Sequence, residues 1–111
     1  MSDLVEHQIE QGSYRLIFQT QPKKITVGKF FSLRVDVCSK DGSPLPDGLK
    51  IDATMPMHGH GMNYRPSVQQ LAPGKFKAKG LMMHMAGSWL LRFDIRQGDK
   101  ATRMQTKLIL K

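Results

Sequence analysis

From Phe31 to Val37 every second residue is apolar (Phe31, Leu33, Val35, Val37), and the residues between them, Ser32, Arg34 and Asp36, are polar. A period of two puts successive side chains on opposite faces of an extended chain, so the segment reads as a half-buried strand and not as an amphipathic helix. The same grammar recurs along the chain, interrupted by turn-forming clusters and never replaced by a helical period. Ser13 to Thr20 is a first strand closed by Gln21-Pro22, and Lys29 to Ser39 a second, ended by Lys40-Asp41-Gly42-Ser43-Pro44. Leu49 to Met57 aligns Ile51, Ala53, Met55 and Met57. A Gly- and Pro-rich loop from His58 to Pro73 follows, with a short strand around Ser67 to Leu71.

The second half behaves alike. Lys75 to Met85 begins with Phe76 and Ala78 inward and continues with Leu81, Met83 and Met85, so Gly80 marks a bulge that shifts the register. Ala86-Gly87 turns into Ser88 to Arg96, where Trp89, Leu91, Phe93 and Ile95 alternate with other residues. Gln97-Gly98-Asp99-Lys100 is a hairpin turn into Ala101 to Leu110. Short strands at this spacing predict an all-β fold, an antiparallel immunoglobulin-like β-sandwich of about seven strands. Trp89, Leu91, Phe93, Phe31, Leu33 and Val35 are its expected core. At 111 residues the chain is one domain. Residues 1–12 are expected to be a flexible tail and 13–111 the sandwich.

Composition removes several functions. No apolar run approaches the roughly 18 residues of a membrane span, and Met1 to Gln11 lacks the apolar stretch of a secretory signal. Either the protein is cytoplasmic or its export signal or anchor lies outside this sequence. Seventeen Lys and Arg against nine Asp and Glu give a net charge of +8, which raises the question of anionic partners. Lys75, Lys77 and Lys79 alternate with Phe76 and Ala78, however, and read as the solvated face of one strand. No nucleic-acid motif accompanies them, so no nucleic-acid partner is expected. Cys38 is the single cysteine, which excludes an intramolecular disulfide; it reads as a small buried or half-buried side chain. No histidine lies within nineteen residues of it, which argues against a blue-copper electron carrier. No Ser-His-Asp set, paired carboxylates or phosphate-cradling loop can be assembled, so no enzymatic activity is expected.

Chemistry is concentrated elsewhere. Met55-Pro56-Met57-His58-Gly59-His60-Gly61-Met62 packs three thioethers and two imidazoles into eight residues, and Met82-Met83-His84-Met85 lies about twenty residues on. Together they hold six of the eight methionines and three of the four histidines. Sulfur and imidazole suit monovalent copper, and the absence of Cys, Asp and Glu from both clusters counts against zinc. His60, Met62 and His84 are the first candidate ligands, with His58 and Met57 next. Strand parity makes Met85 core if His84 binds metal. Met55 and Met104 read as core, and His7 as a solvated tail residue. The structural alternative is a tight glycine turn whose histidines bond backbone carbonyls.

The run from Asp52 to Ile95, with Met-Pro-x-His-Gly-His-Gly-Met, Pro66, Gly74-Lys75-Phe76, Gly80-Leu81, His84-Met85-x-Gly87 and Trp89-x-Leu91-x-Phe93, resembles the YtkA-like domain family, related to FixH-type proteins. It departs from that pattern at Ala86, where proline is frequent, and at Met83, where an aromatic is common. The resemblance implies a small immunoglobulin-like sandwich, exported or membrane-tethered in bacteria, linked to copper handling or oxidase assembly. The expectation is a copper-binding protein of the cell envelope, a Cu(I) chaperone or carrier. It would sit in the periplasm or on a membrane facing it, with a membrane-complex or copper-protein partner; a cytoplasmic location and the oligomeric state stay open. The alternative is a non-metal interaction module that assists assembly of a membrane complex.

Overall fold

The computed structural model describes residues 6–57, 59–62 and 65–110, with the backbone alone for Glu6 and His60. His58, one of the expected ligands, lies outside the described residues, and so do residues 1–5 of the expected tail. The rest folds into nine strands: β1 (Glu6–Gln11), β2 (Tyr14–Gln21), β3 (Phe31–Ser39), β4 (Gly48–Met55), β5 (His60–Gly61), β6 (Ser67–Ala72), β7 (Lys75–Leu81), β8 (Gly87–Gln97) and β9 (Lys100–Leu110). They form a five-stranded sheet ordered β1-β2-β3-β7-β6 and a four-stranded sheet ordered β5-β4-β8-β9. All pairings are antiparallel. Without β1, the order β2-β3-β7-β6 facing β4-β8-β9 is the A-B-E-D and C-F-G arrangement of an immunoglobulin sandwich, with β5 as a vestigial strand beside C.

The alternation read from the sequence sorts the side chains. Phe31, Leu33, Val35, Trp89, Leu91 and Phe93 are all buried, together with Leu16, Phe18, Ile51, Ala53, Phe76, Ala78, Leu81 and Met104. Each large apolar side chain removed from water in this way contributes about 1.5–3 kcal/mol, which is why a two-layer packing of half-apolar strands is stable. Between β3 and β7, Phe31 faces Leu81 and Leu33 faces Ala78, so β7 carries one residue more than β3 across that interval. Gly80, at a φ of 82°, sits in this expected bulge.

Several expectations change, among them the inward alignment of Met57, since β4 ends at Met55 and Met57 is exposed. Residues 6–11 are not tail: they form β1, paired along its whole length with β2. His7 is stacked on the buried Phe18 at 4.7 Å between ring centroids, covering the core edge beside β9. Cys38 is exposed, because Val37 faces the core and its neighbour must face out. The strand expected to run from Lys75 to Met85 stops at Leu81, and residues 82–86 cross from one sheet to the other.

The antiparallel pairings send β2, β4, β7 and β9 toward one end. That end therefore carries the connection 22–30, the turn 56–59, the crossover 82–86 and the end of β9. At the opposite end the Asp41 carboxylate accepts hydrogen bonds from Ser43, Ser13 and Ser39. Donors from Ser43, then Ser13, hold its carboxyl well below the usual carboxylate range. Those side-chain bonds pin that end.

Candidate metal centre

Met55 closes β4, and its carbonyl accepts the Gly59 N–H at 2.9 Å. Gly59 has a φ of +66°, which lets the chain reverse there at little cost. The returning strand β5 sets His60 opposite Met55 and Gly61 opposite Thr54. The Met62 N–H then bonds the Ala53 carbonyl at 3.2 Å. Met57 is left at the tip of this turn with 87% of its surface exposed.

The crossover 82–86 is held from both sides. Met83 is fully buried, and its carbonyl accepts the Gly28 N–H at 2.9 Å, tying the crossover to the connection 22–30. His84, half-buried, meets the Trp89 ring edge-on at 5.5 Å. Trp89 Nε1 donates to the Met85 carbonyl at 3.0 Å. Met85 is 36% exposed and is not part of the core. The parity argument that assigned it to the core fails because residues 82–86 are not strand.

The two segments meet through Met55 and Gly87. A Cβ added to Gly87 would lie 2.7 Å from Met55 Cε. A contact path thus runs from the crossover, through Trp89 and Gly87, to Met55 and the β5 backbone at His60. Gly87 has a φ of 133°, a conformation that L side chains rarely adopt. Gly87→Ala is therefore expected to cost about 1–3 kcal/mol, measured as a lower denaturation midpoint, and to shift NMR signals of the Met55 methyl group. An unchanged midpoint would show that the crossover relaxes freely.

Met82 is half-buried, and five other methionines fall into two groups. Met55, Met83 and Met104 are buried in the core. Met57, 87% exposed, and Met85, partly exposed, lie at the same end as His84. Met62 belongs to neither: it is half-buried against the core and lines a cleft on the sandwich flank with Leu49, Ile51 and Val68. Among the described residues no three His, Cys, Asp or Glu side chains converge as a metal-binding group. Segments 22–30, 56–62 and 82–87 contain no Asp or Glu, and the first supplies Lys23, Lys24 and Lys29. Sequence reasoning placed Trp89 in the core but missed that its Nε1 also bonds the Met85 carbonyl and that its ring meets His84.

No family model matches the chain, and no curated protein matches it. Among solved structures, a DUF4785 family protein of Legionella pneumophila has a TM-score of 0.61 at 12% identity, covering 90% of this chain. The chain spans only 29% of that protein's length. A copper-bound variant of FetP from uropathogenic Escherichia coli strain F11 has a TM-score of 0.60 at 9% identity, over 96% of this chain and 95% of FetP. FetP 'as isolated', expressed in the periplasm, gives 0.54 at 10% identity over 97% and 96%. The β-sandwich is thus a fold that this chain shares, over nearly its whole length, with FetP.

Proposed function

We propose that the chain is a copper-binding protein of the bacterial cell envelope, a YtkA-like, FixH-related domain that carries Cu(I) or hands it to a copper protein or membrane complex. The observation that carries this reading is that the exposed Met57 and the partly exposed Met85 lie at the end of the sandwich that also carries His84. Neutral sulfur with imidazole is the donor set that a soft monovalent ion takes. His60, whose backbone is set opposite Met55, and His58, which precedes Gly59 in the sequence, are the further donors we assign. The likeness to FetP, copper-bound in one of its structures, agrees in fold with such a role.

Charge separates copper from zinc. A site without carboxylates or thiolates, next to a loop with three lysines, offers a divalent ion neither anionic ligands nor a favourable field. A univalent ion bears less of that repulsion. A carrier also needs its ligands at the surface, where a partner can displace them one at a time, and this suits Met57 and Met85. We read the protein as a carrier without catalysis, working in the periplasm or on a membrane facing it.

The test is a Cu(I) titration against a competing chelator in anaerobic, reducing buffer, on protein without a His-tag, with a parallel zinc titration. Stoichiometric Cu(I) binding is expected, with zinc weaker by about tenfold or more, equivalent to 1.4 kcal/mol. Equal affinities would remove the argument for a soft site. No binding of either ion would return the chain to the reading of an interaction module that assists a membrane complex.

A further inference from the structure

Oxidants sort methionines by access. A thioether takes an oxygen atom from a hydroperoxide as fast as the reagent can reach the sulfur, and the product, methionine sulfoxide, is polar and is returned to methionine by dedicated reductases. This fold spreads its methionines over the whole range of access. Met55, Met83 and Met104 are fully buried, and an oxidant meets them only when the fold opens. Met62 and Met82 are half-buried. Met85 is 36% exposed and Met57 87% exposed. Met57 also stands beyond the end of β4, which closes at Met55, so a polar group at its sulfur disturbs neither a strand nor the core.

We propose that Met57 is a reversible oxidation site, and that its conversion to the sulfoxide by a hydroperoxide releases Cu(I) from the methionine end of the sandwich. The switch rests on Cu(I) binding at that end, as proposed above, and adds a control to it. In the oxidation the O–O bond breaks and one oxygen atom bonds to the Met57 sulfur. The sulfur gives up two electrons, the peroxide is reduced, and water or an alcohol leaves. A neutral sulfur donor that suits a soft monovalent ion is thereby replaced by a group whose polar oxygen is a hard donor. Met55, Met83 and Met104 keep their thioethers in the core, so the ion is lost while the sandwich stays folded. Reduction of the sulfoxide by a dithiol, which becomes a disulfide as water is released, restores the site.

The whole chain is treated with limiting hydrogen peroxide, and each methionine is followed by peptide mass mapping, which separates these sites from Met1. A parallel Cys38→Ser sample removes oxidation of the exposed thiol, which lies near the far end of β3, from the readout. Met57 should oxidise first and Met85 next, with Met55, Met83 and Met104 at least about tenfold slower than Met57, since they wait for openings of the fold. After the peroxide is removed, Cu(I) affinity in a chelator competition should be lower by about tenfold or more, as for a lost ligand. The circular dichroism spectrum should be unchanged, and treatment with reductases for both sulfoxide epimers should restore the affinity. In Met57→Leu the same peroxide dose should leave the remaining Cu(I) affinity as it was. The proposal is overturned if Met57 oxidises no faster than the buried methionines, if its oxidation leaves Cu(I) affinity unchanged, or if reduction of the sulfoxide fails to restore it. Failure to bind Cu(I) before any peroxide is added is a separate result, which removes the copper reading itself and the switch with it.

Discussion

Trp89→Ala is expected to lower folding stability by about 3–5 kcal/mol, the usual cost of truncating a large aromatic side chain in a packed core. Domains of this size have on the order of 5–15 kcal/mol in total, so the variant should be marginal at 37 °C. Trp89 is buried at the junction of β8 with the crossover and does two things. Its ring fills the core, and its Nε1 holds the Met85 carbonyl while its edge holds His84. Trp89→Phe separates these roles. It keeps most of the apolar volume but removes the Nε1 donor, so the expected cost falls to about 1–2 kcal/mol, of which a lost neutral hydrogen bond accounts for roughly 1. If Met85 and His84 are held for copper, the phenylalanine variant should also bind Cu(I) more weakly. Stability is to be read by far-UV circular dichroism in denaturant, because Trp89 is the single tryptophan and its fluorescence is lost in both variants. A phenylalanine variant with normal stability and normal Cu(I) affinity would show that the Nε1 bond anchors nothing.

The sandwich was legible where the alternation was regular. β3 and β8 carry apolar residues at every second position, and both lie inside their sheets with one face on the core. The bulge at Gly80 was legible because the apolar parity changes across it, and one inserted residue is the simplest repair of such a change. β1 was not legible: Glu-His-Gln-Ile-Glu-Gln contains one apolar residue, and its order comes from pairing with β2 and from His7 stacking on Phe18. Such tertiary gains leave no periodic trace. β5, with two residues, is too short for any period. The donor-rich segments were visible by composition alone, and their placement at one end follows from the sandwich topology. Which thioethers face solvent was not visible. The sequence parity of 82–86 continues that of β7, and only the end of the strand at Leu81 releases Met85 from it.

Met57→Ala is expected to leave stability within about 0.5 kcal/mol of the wild type, as for other exposed positions, and to weaken Cu(I) binding by about tenfold or more. Its side chain, 87% exposed at the tip of the turn, has no packing to lose. Met62→Ala should show the opposite balance. Its side chain rests against the core and lines the flank cleft, so truncation should cost about 1–2 kcal/mol, less than the 2–5 kcal/mol of a fully buried methionine, with a smaller change in Cu(I) affinity. Zinc binding should respond little to either change, since a thioether adds little to a hard or borderline ion. Competition titration and chemical denaturation of the same preparations read both quantities. Should Met62→Ala lose Cu(I) while Met57→Ala retains it, the ion belongs on the flank, with Met62 as its thioether, and the assignment to the tip fails. Should both retain full affinity, any copper is held by the imidazoles alone, which removes the preference for the monovalent ion because nitrogen donors hold Cu(II) and zinc as well.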